Sequence, residues 1–283
     1  TLMDFSIYEV GPRDGLQSTD TITPTFKKVE LIEEISKAGI KHIEVGSMVH
    51  PDKVPNMADS ATVFTQVSHL QPDCELGMLV PNGIGVNRAY NVGVEKYNIF
   101  FSPSDYFNTN NFGRNLSQIF TEYCNALNGI HEDNIRVYIS TAFGCPIMGD
   151  IPPKTMVKTL EWANTLGNNV VLCDTIGNAK PSLIREVMKM TERKIDANIS
   201  LHLHHGIRQG KMMDNLSAGF DMGVTQFDSS IGGMGGCPFV PGSGGNLATE
   251  QLVHWAEKEN LECGVTLSDL SNLVKYVDTK IKV

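Results

Sequence analysis

The feature that most constrains the fold of this chain is a repeated alternation of strand-like and helix-like segments. Short apolar or alternating runs, bounded by turn residues, recur along all 283 residues, and most are followed by a segment with helical periodicity. The predicted strands are residues 6–10, 42–45, 75–80, 96–101, 136–141, 169–173, 199–204 and 225–228. Eight strand–helix units in a chain of this length predict an α/β fold, a closed (β/α)₈ TIM barrel.

The predicted helices occupy residues 24–38, 58–70, 83–92, 116–129, 154–166, 181–193, 212–222 and 247–258, and a further stretch at 267–280 is expected to pack across one end of the barrel. An open, doubly wound sheet is the alternative. The turn after the first strand, GPRDGLQ, disfavours it because the GxGxxG phosphate-binding pattern is missing. No linker or repeat divides the chain, so the sequence predicts one catalytic domain over 1–283, with the barrel at about 5–258 and a C-terminal helical extension at about 259–283.

Composition excludes several classes of partner. The chain has 23 basic and 32 acidic residues, a formal charge of −9, and no basic track, so no nucleic acid is expected. No apolar run approaches a membrane span, and the first residues show no signal-peptide pattern.

The six cysteines form no CxxC pair, which indicates free thiols in a reducing compartment, the cytoplasm or an organelle matrix. The expected partner is a small-molecule substrate, and a homodimer is a reasonable expectation for this class.

One predicted strand carries two histidines, His202 and His204, at alternate positions. Side chains two residues apart in a strand leave the same face, so both imidazoles can reach one metal ion. In a barrel of this type, functional side chains come from the carboxyl ends of the strands, and Asp14 follows the first strand. Two imidazoles, a carboxylate and an amide oxygen favour Mg²⁺ or Mn²⁺ over Zn²⁺.

Other polar side chains near the strand ends have both a structural and a functional interpretation. Arg13 places a permanent cation at the barrel mouth, where it can stabilise an oxyanion. Glu44 and Asp174 either orient a histidine or arginine or pair with structural neighbours. Asn246 offers an amide oxygen, but its position directly before a predicted helix favours an N-cap.

Two cysteines lie in similar glycine–cysteine–proline turns, Cys145 after the fifth strand and Cys237 in the glycine-rich loop 231–246. A thiol on a loop that closes over a site can deliver or remove a proton. A cysteine in a tight glycine turn can also be there simply because it is small. The residues themselves do not choose between the two thiols.

Seven stretches of the chain together resemble the hydroxymethylglutaryl-CoA lyase family, part of a TIM-barrel superfamily of divalent-metal lyases and condensing enzymes. In the family's order they are VGPRDGLQ (10–17), IEVGSMVHPDKVPNM (43–57), LVPN (79–82), GCP (144–146), CDTIG (173–177), HLH (202–204) and FDSSIGGMGGCPFVPGSGGNLATE (227–250). The combination of RDGLQ with GGCP and GNLATE is typical of the lyase branch.

The resemblance implies a metal-dependent retro-aldol cleavage of hydroxymethylglutaryl-CoA or a related 3-hydroxyacyl-CoA, giving acetyl-CoA and a keto acid. The metal ligands it implies are Asp14, His202, His204 and Asn246. The catalytic groups it implies are Arg13, Cys237, His202, Asp174 and Glu44. In this scheme His202 or Asp174 removes the hydroxyl proton, and the leaving enolate is stabilised by Arg13 and protonated by Cys237.

After the HxH strand the chain diverges from the family pattern, reading HGIRQGKM at 205–212 with a longer connection to the next helix. Arg208 and Lys211 add two cations there, which either simply face solvent or indicate an anionic substrate with a different acyl group or carrier. Two other functions stay open at this point. One is an acyl-CoA-dependent condensing transferase of the same superfamily, which the Cys237 loop disfavours. The other is a catalytically degenerate barrel that binds a metabolite.

Overall fold

Eight parallel strands close into a barrel in the order of the chain, with the first paired to the last. The computed structural model describes residues 5–19, 21–206, 212–235 and 244–282. The strands are β1 (Ser6–Glu9), β2 (His42–Ser47), β3 (Glu75–Leu79), β4 (Lys96–Phe101), β5 (Ile135–Ile139), β6 (Asn169–Asp174), β7 (Asn198–Leu203) and β8 (Gln226–Ser229). The predicted TIM barrel is thus confirmed, and the open-sheet alternative is wrong.

Helices surround the barrel on its outer side. They are α1 (Thr25–Lys37), α2 (Ser60–Val67), α3 (Gly83–Asn91), α4 (Asp105–Phe112), α5 (Leu116–Ala126), α6 (Pro153–Leu166), α7 (Pro181–Glu192), α8 (Met212–Asp221), α9 (Thr249–Lys258) and α10 (Leu267–Tyr276). The sequence pattern missed α4 because its polar run, NTNN, has no apolar stripe. Its ends follow ordinary rules: the Ser104 hydroxyl caps it, and Gly113 terminates it at a φ of 67°.

Strand alternation divides side chains between the barrel interior and the core under the helices. Leu201 and Phe227 are fully buried in that core. Ser200 and Gln226, from the same two strands, hydrogen-bond to each other at 3.1 Å on the opposite face. The interior is therefore polar, and its upper layer opens at the carboxyl ends of the strands.

The C-terminal segment packs beside the barrel mouth. After α10, a π-helical turn, Val277–Ile281, ends the chain's last helical stretch. Lys282 Nζ donates to the carbonyl of Gly232 at 2.9 Å, and Lys27 Nζ donates to the carbonyl of Lys280 at 2.6 Å. These bonds tie the segment to the turn after β8 and to α1.

Two further findings bear on expectations from composition. The five cysteines among the described residues are all free thiols, as predicted. None of the helices among the described residues is long and apolar enough to cross a membrane.

The core under β8 gives a test of the fold. Phe227 is fully buried, and its ring centroid lies 5.8 Å from that of Phe5 and 6.5 Å from that of Trp255. We expect Phe227→Ala to lower the free energy of unfolding by about 3–5 kcal/mol, because it loses apolar burial and leaves a cavity. Phe26→Ala is the control, since Phe26 is 65% exposed. Chemical denaturation measures both, and equal effects would contradict the assigned packing.

Candidate metal centre and catalytic site

The loop after β1 places two charged side chains at the barrel mouth. It forms a π-helical turn, Gly11–Gly15. The amides of Arg13 and Asp14 both donate to the carbonyl of Val10, at 3.1 and 2.7 Å. The Arg13 and Asp14 side chains are thereby fixed side by side, and the two residues are only 7% and 8% exposed.

The two histidines at the end of β7 meet Asp14 across the barrel mouth. His202 Nε2 and His204 Nε2 lie 2.9 Å apart. One ligand atom from each of Asp14, His202 and His204 lies within 4.8 Å of the others. Because bonds from Mg²⁺ or Zn²⁺ to such atoms are about 2.0–2.2 Å long, a single ion can contact all three. The structure thus brings three of the four predicted ligands together.

Backbone pairing carries Asn246 to the same place. Asn246 and His204 form an antiparallel bridge, and Ser230 N–H donates to the carbonyl of Leu247 at 2.9 Å. The chain here is extended between the ends of β7 and β8. The interpretation of Asn246 as an N-cap is therefore wrong: α9 begins two residues later than predicted, with Ala248 as its N-cap.

The Asn246 side chain is oriented by its two amide hydrogens. Nδ2 donates to Asp14 Oδ2 at 2.7 Å and to the carbonyl of Met234 at 2.9 Å. The side-chain oxygen is buried and has no hydrogen-bond partner among the described residues. A buried acceptor left without a donor is costly unless another group satisfies it. Asn246 Oδ1 is thus available as a metal ligand beside Asp14.

The protonation states of Asp14 and His204 favour a cation. Burial acts to raise the pKa of Asp14, but Arg13 and the two histidines outweigh it and hold that pKa at about 2. Burial lowers the pKa of His204 to about 4, and His202 beside it adds to the effect. At neutral pH the centre therefore offers an ionised carboxylate and a neutral imidazole, the forms that bind divalent metals.

Arg13 is held between two carboxylates. Its Nε donates to Glu44 Oε2, and its Nη1 donates to Asp14 Oδ1 at 2.5 Å. Glu44 is fully buried and also accepts from Asn98 Nδ2 at 2.7 Å. Of the two interpretations of Glu44, these contacts favour the one in which it orients an arginine.

Asp174 lies at the end of β6 and is 2% exposed. Its carboxylate accepts from the backbone amides of Asn178 and Ala179, at 2.9 and 3.1 Å. Burial raises the pKa of Asp174 to about 6, although these amides oppose the shift. The contacts hold the turn before α7, and the assignment of Asp174 as a base stays a prediction.

Of the two cysteines that the sequence offered as catalytic thiols, the structure describes only Cys145. Cys237, and with it Arg208 and Lys211, lies outside the described residues. Cys145 is buried in a turn closed by a bridge to Gly149. Cys173, to which the sequence pattern gave no role, lines the cavity over the site.

A cavity of about 780 Å³ opens above the convergent groups. Its wall includes Arg13 and the two histidines. The wall is completed by side chains from the loops after β2 and β3, from β3 and β4 and from α4, among them Lys53, Leu79, Asn82, Phe100, Asn110, Asn111 and Phe112. This volume is in the range of pockets that hold small organic ligands.

Sequence reasoning gave no role to two side chains that contact the site. Asp228 Oδ2 lies 3.0 Å from His202 Nδ1, and Arg136 Nη2 donates to Asp228 Oδ1 at 2.6 Å. The position of Asp228 at a strand end was a signal. Arg136 lies 92 residues away in the chain, so only the closed barrel shows the contact.

A TIM barrel with a carboxylate, two imidazoles and a free amide oxygen at the carboxyl ends of its strands defines a class of barrel enzymes built to use a divalent cation. The family model described as HMGL-like matches residues 4–277. The chain is 34% identical over 280 residues to hydroxymethylglutaryl-CoA lyase of Bacillus subtilis, covering 98% of this chain and 93% of the relative. It is 34% identical over 275 residues to the human mitochondrial hydroxymethylglutaryl-CoA lyase, covering 96% and 84%.

Solved structures agree. The B. subtilis HMG-CoA lyase superposes with a TM-score of 0.91 at 33% identity, over 98% of this chain and 93% of that one. An HMG-CoA lyase from Acinetobacter baumannii, in complex with coenzyme A and 3-methylmalate, gives 0.90 at 32% identity, over 97% and 90%. The chain belongs to the HMGL-like family and is a carbon–carbon lyase of the hydroxymethylglutaryl-CoA lyase type. The resemblance read from the motifs is confirmed.

Metal binding can be measured without substrate. We expect calorimetry to show that Mn²⁺ titrated into metal-free protein binds at one site. Asp14→Ala or His204→Ala is expected to weaken Mn²⁺ affinity at least about 100-fold, since each removes a predicted ligand. His205→Ala is the matched control, because His205 lies next to His204 but its Nε2 is 3.3 Å from Gln251 Oε1. Loss of Mn²⁺ in the His205 variant alone would contradict the assigned ligands.

Proposed function

We propose that this protein cleaves hydroxymethylglutaryl-CoA, or a closely related 3-hydroxyacyl-CoA, to acetyl-CoA and a keto acid in a retro-aldol reaction that requires Mg²⁺ or Mn²⁺. The observation that carries the proposal is the convergence of Asp14, His202, His204 and Asn246 beside Arg13, under one cavity. Similarity over nearly the whole chain to hydroxymethylglutaryl-CoA lyases supports the substrate class. Coenzyme A and 3-methylmalate in the A. baumannii structure support a CoA-linked hydroxy acid.

The metal would be held by Asp14, His202, His204 and the side-chain oxygen of Asn246. A bound divalent cation supplies Lewis-acid polarisation of the substrate's hydroxyl and carboxylate oxygens. The donor set fits the ion: one carboxylate, two imidazoles and a buried oxygen that no described residue satisfies. Enzymes of this family generally depend on a divalent metal.

In the proposed reaction Asp174 is the candidate base for the proton of the 3-hydroxyl, because both ring nitrogens of His202 are committed, Nδ1 to Asp228 and Nε2 to metal binding. The oxygen's electron pair then forms the carbonyl of the keto acid, the adjacent carbon–carbon bond breaks, and its electron pair passes to the thioester enolate. Arg13, oriented by Glu44, is placed to stabilise the enolate oxygen. Cys237 returns a proton to the enolate carbon, which gives acetyl-CoA.

The remaining expectations belong to the same proposal. We place the protein in the cytoplasm or an organelle matrix, where its thiols stay reduced, and we expect a homodimer. A different acyl group, selected by Arg208 and Lys211, stays a prediction about residues outside the described ranges.

The function is tested by direct assay. With Mg²⁺ and hydroxymethylglutaryl-CoA, wild-type protein is expected to release acetyl-CoA and acetoacetate. We expect Cys237→Ala to lower kcat by about 10²–10⁴-fold, which is the usual contribution of an acid–base group. Cys124→Ala is the control, because Cys124 is an exposed thiol.

Other outcomes separate the alternatives. Condensation of acetyl-CoA with a keto acid, without cleavage of any 3-hydroxyacyl-CoA, would indicate the transferase. Metal binding with no turnover on a panel of 3-hydroxyacyl thioesters would indicate the degenerate barrel.

The role of Arg13 has its own kinetic signature. We expect Arg13→Gln to lower kcat about 10²–10³-fold with a smaller change in KM, because the guanidinium stabilises charge that develops in the transition state. The exposed Arg88→Gln serves as the control. A raised KM with unchanged kcat would instead assign Arg13 to ground-state binding.

A further inference from the structure

A chain of buried polar groups runs from the metal centre into the barrel. Asp228 Oδ2 lies 3.0 Å from the far ring nitrogen of His202, Nδ1, and Asp228 Oδ1 accepts from Arg136 Nη2 at 2.6 Å. Arg136 Nη1 donates to Gln226 Oε1 at 2.5 Å. His202, Asp228 and Arg136 are 7%, 1% and 6% exposed, so water does not compete for these contacts.

Arg136 is itself tightly placed. Its guanidinium lies over the ring of Tyr8, 4.1 Å from the centroid, a cation–π geometry. Gln226, its second acceptor, is bonded to Ser200 at 3.1 Å. Arg136 therefore presents donors, and only donors, to a fixed point on Asp228.

The contacts decide which nitrogen of His202 carries hydrogen. An ionised carboxylate only accepts, so Nδ1 must carry a hydrogen, and in the neutral ring the lone pair is then on Nε2. That lone pair lies on the side of His204 and Asp14. No such contact determines which nitrogen of His204 carries hydrogen, since its Nδ1 has no hydrogen-bond partner among the described residues.

We propose that Asp228 and Arg136 are positioning residues for the metal centre: Asp228 fixes the tautomer and orientation of His202, and Arg136 fixes which oxygen of residue 228 faces the ring. This inference deepens the proposed function and depends on its metal site. A carboxylate behind a metal-bound histidine typically changes metal affinity by about 10–100-fold.

The geometry makes an unusual prediction for Asp228→Asn. Because Arg136 can only donate, it holds the oxygen of the new amide, and the NH₂ group then faces His202 Nδ1. That nitrogen must accept, so the hydrogen moves to Nε2 and blocks the metal. In Asp228→Asn/Arg136→Met the amide is free to turn its oxygen to the ring, which restores the productive tautomer.

Calorimetry with Mn²⁺ on metal-free protein tests this. We expect Asp228→Asn to weaken Mn²⁺ binding about 10–100-fold and the double variant to recover most of the loss. Asp221→Asn is the control, because it makes the same change in an exposed ion pair, 3.0 Å from Arg185. Unchanged affinity in Asp228→Asn, or no recovery in a double variant that melts like the single one, would overturn the proposal.

A second readout needs neither metal nor substrate. Long-range ¹H–¹⁵N spectra of the metal-free protein, with His202 assigned through His202→Ala, report which ring nitrogen carries hydrogen. We expect Nδ1–H in wild type, Nε2–H in Asp228→Asn, and Nδ1–H in the double variant. Nε2–H without Nδ1–H in wild type would overturn the proposal. If wild-type protein bound no Mn²⁺, the metal centre would fail while these spectra still decided the role of Asp228.

Discussion

Pairing of β1 with β8 is the interaction on which the site depends. It sets Ser6–Glu9 beside Gln226–Ser229 and closes the barrel. Closure brings the turn after β1, with Asp14, next to the histidines of β7, although they are nearly 190 residues apart in the chain. It also lets the extended segment around Asn246 lie between the ends of β7 and β8. An open sheet made of the same strands would separate these groups.

The cost of burying charge explains much of the architecture around the candidate metal centre. Arg13 and Arg136 are both buried, and an unpaired buried cation is strongly unfavourable. Each is matched by carboxylates, Arg13 by Glu44 and Asp14, and Arg136 by Asp228. The result is an interior in which polar groups fix one another's orientation. The proposed metal ligand His202 is thereby fixed through Nδ1, on the side of its ring away from His204.

Prediction from sequence succeeded where local periodicity carried the signal. The eight strands, most helices and the shared face of His202 and His204 all follow from alternation and turn residues. It failed for α4, whose polar helix has no apolar stripe. It also failed for Asn246, because the helical pattern seemed to begin at Leu247, whereas tertiary pairing keeps that stretch extended. Long-range pairing outweighed local propensity there.

The sequence by itself determined the fold class, the family and the identity of the groups that can bind a metal, since residue types and their spacing are local properties. The tertiary structure decided how those groups are used. It paired Glu44 with Arg13, left the side-chain oxygen of Asn246 without a hydrogen-bond partner among the described residues, and connected Asp228 to Arg136 across the barrel. The physical reason is that orientation in a buried polar network is set by every partner at once, and most of those partners are distant in the chain.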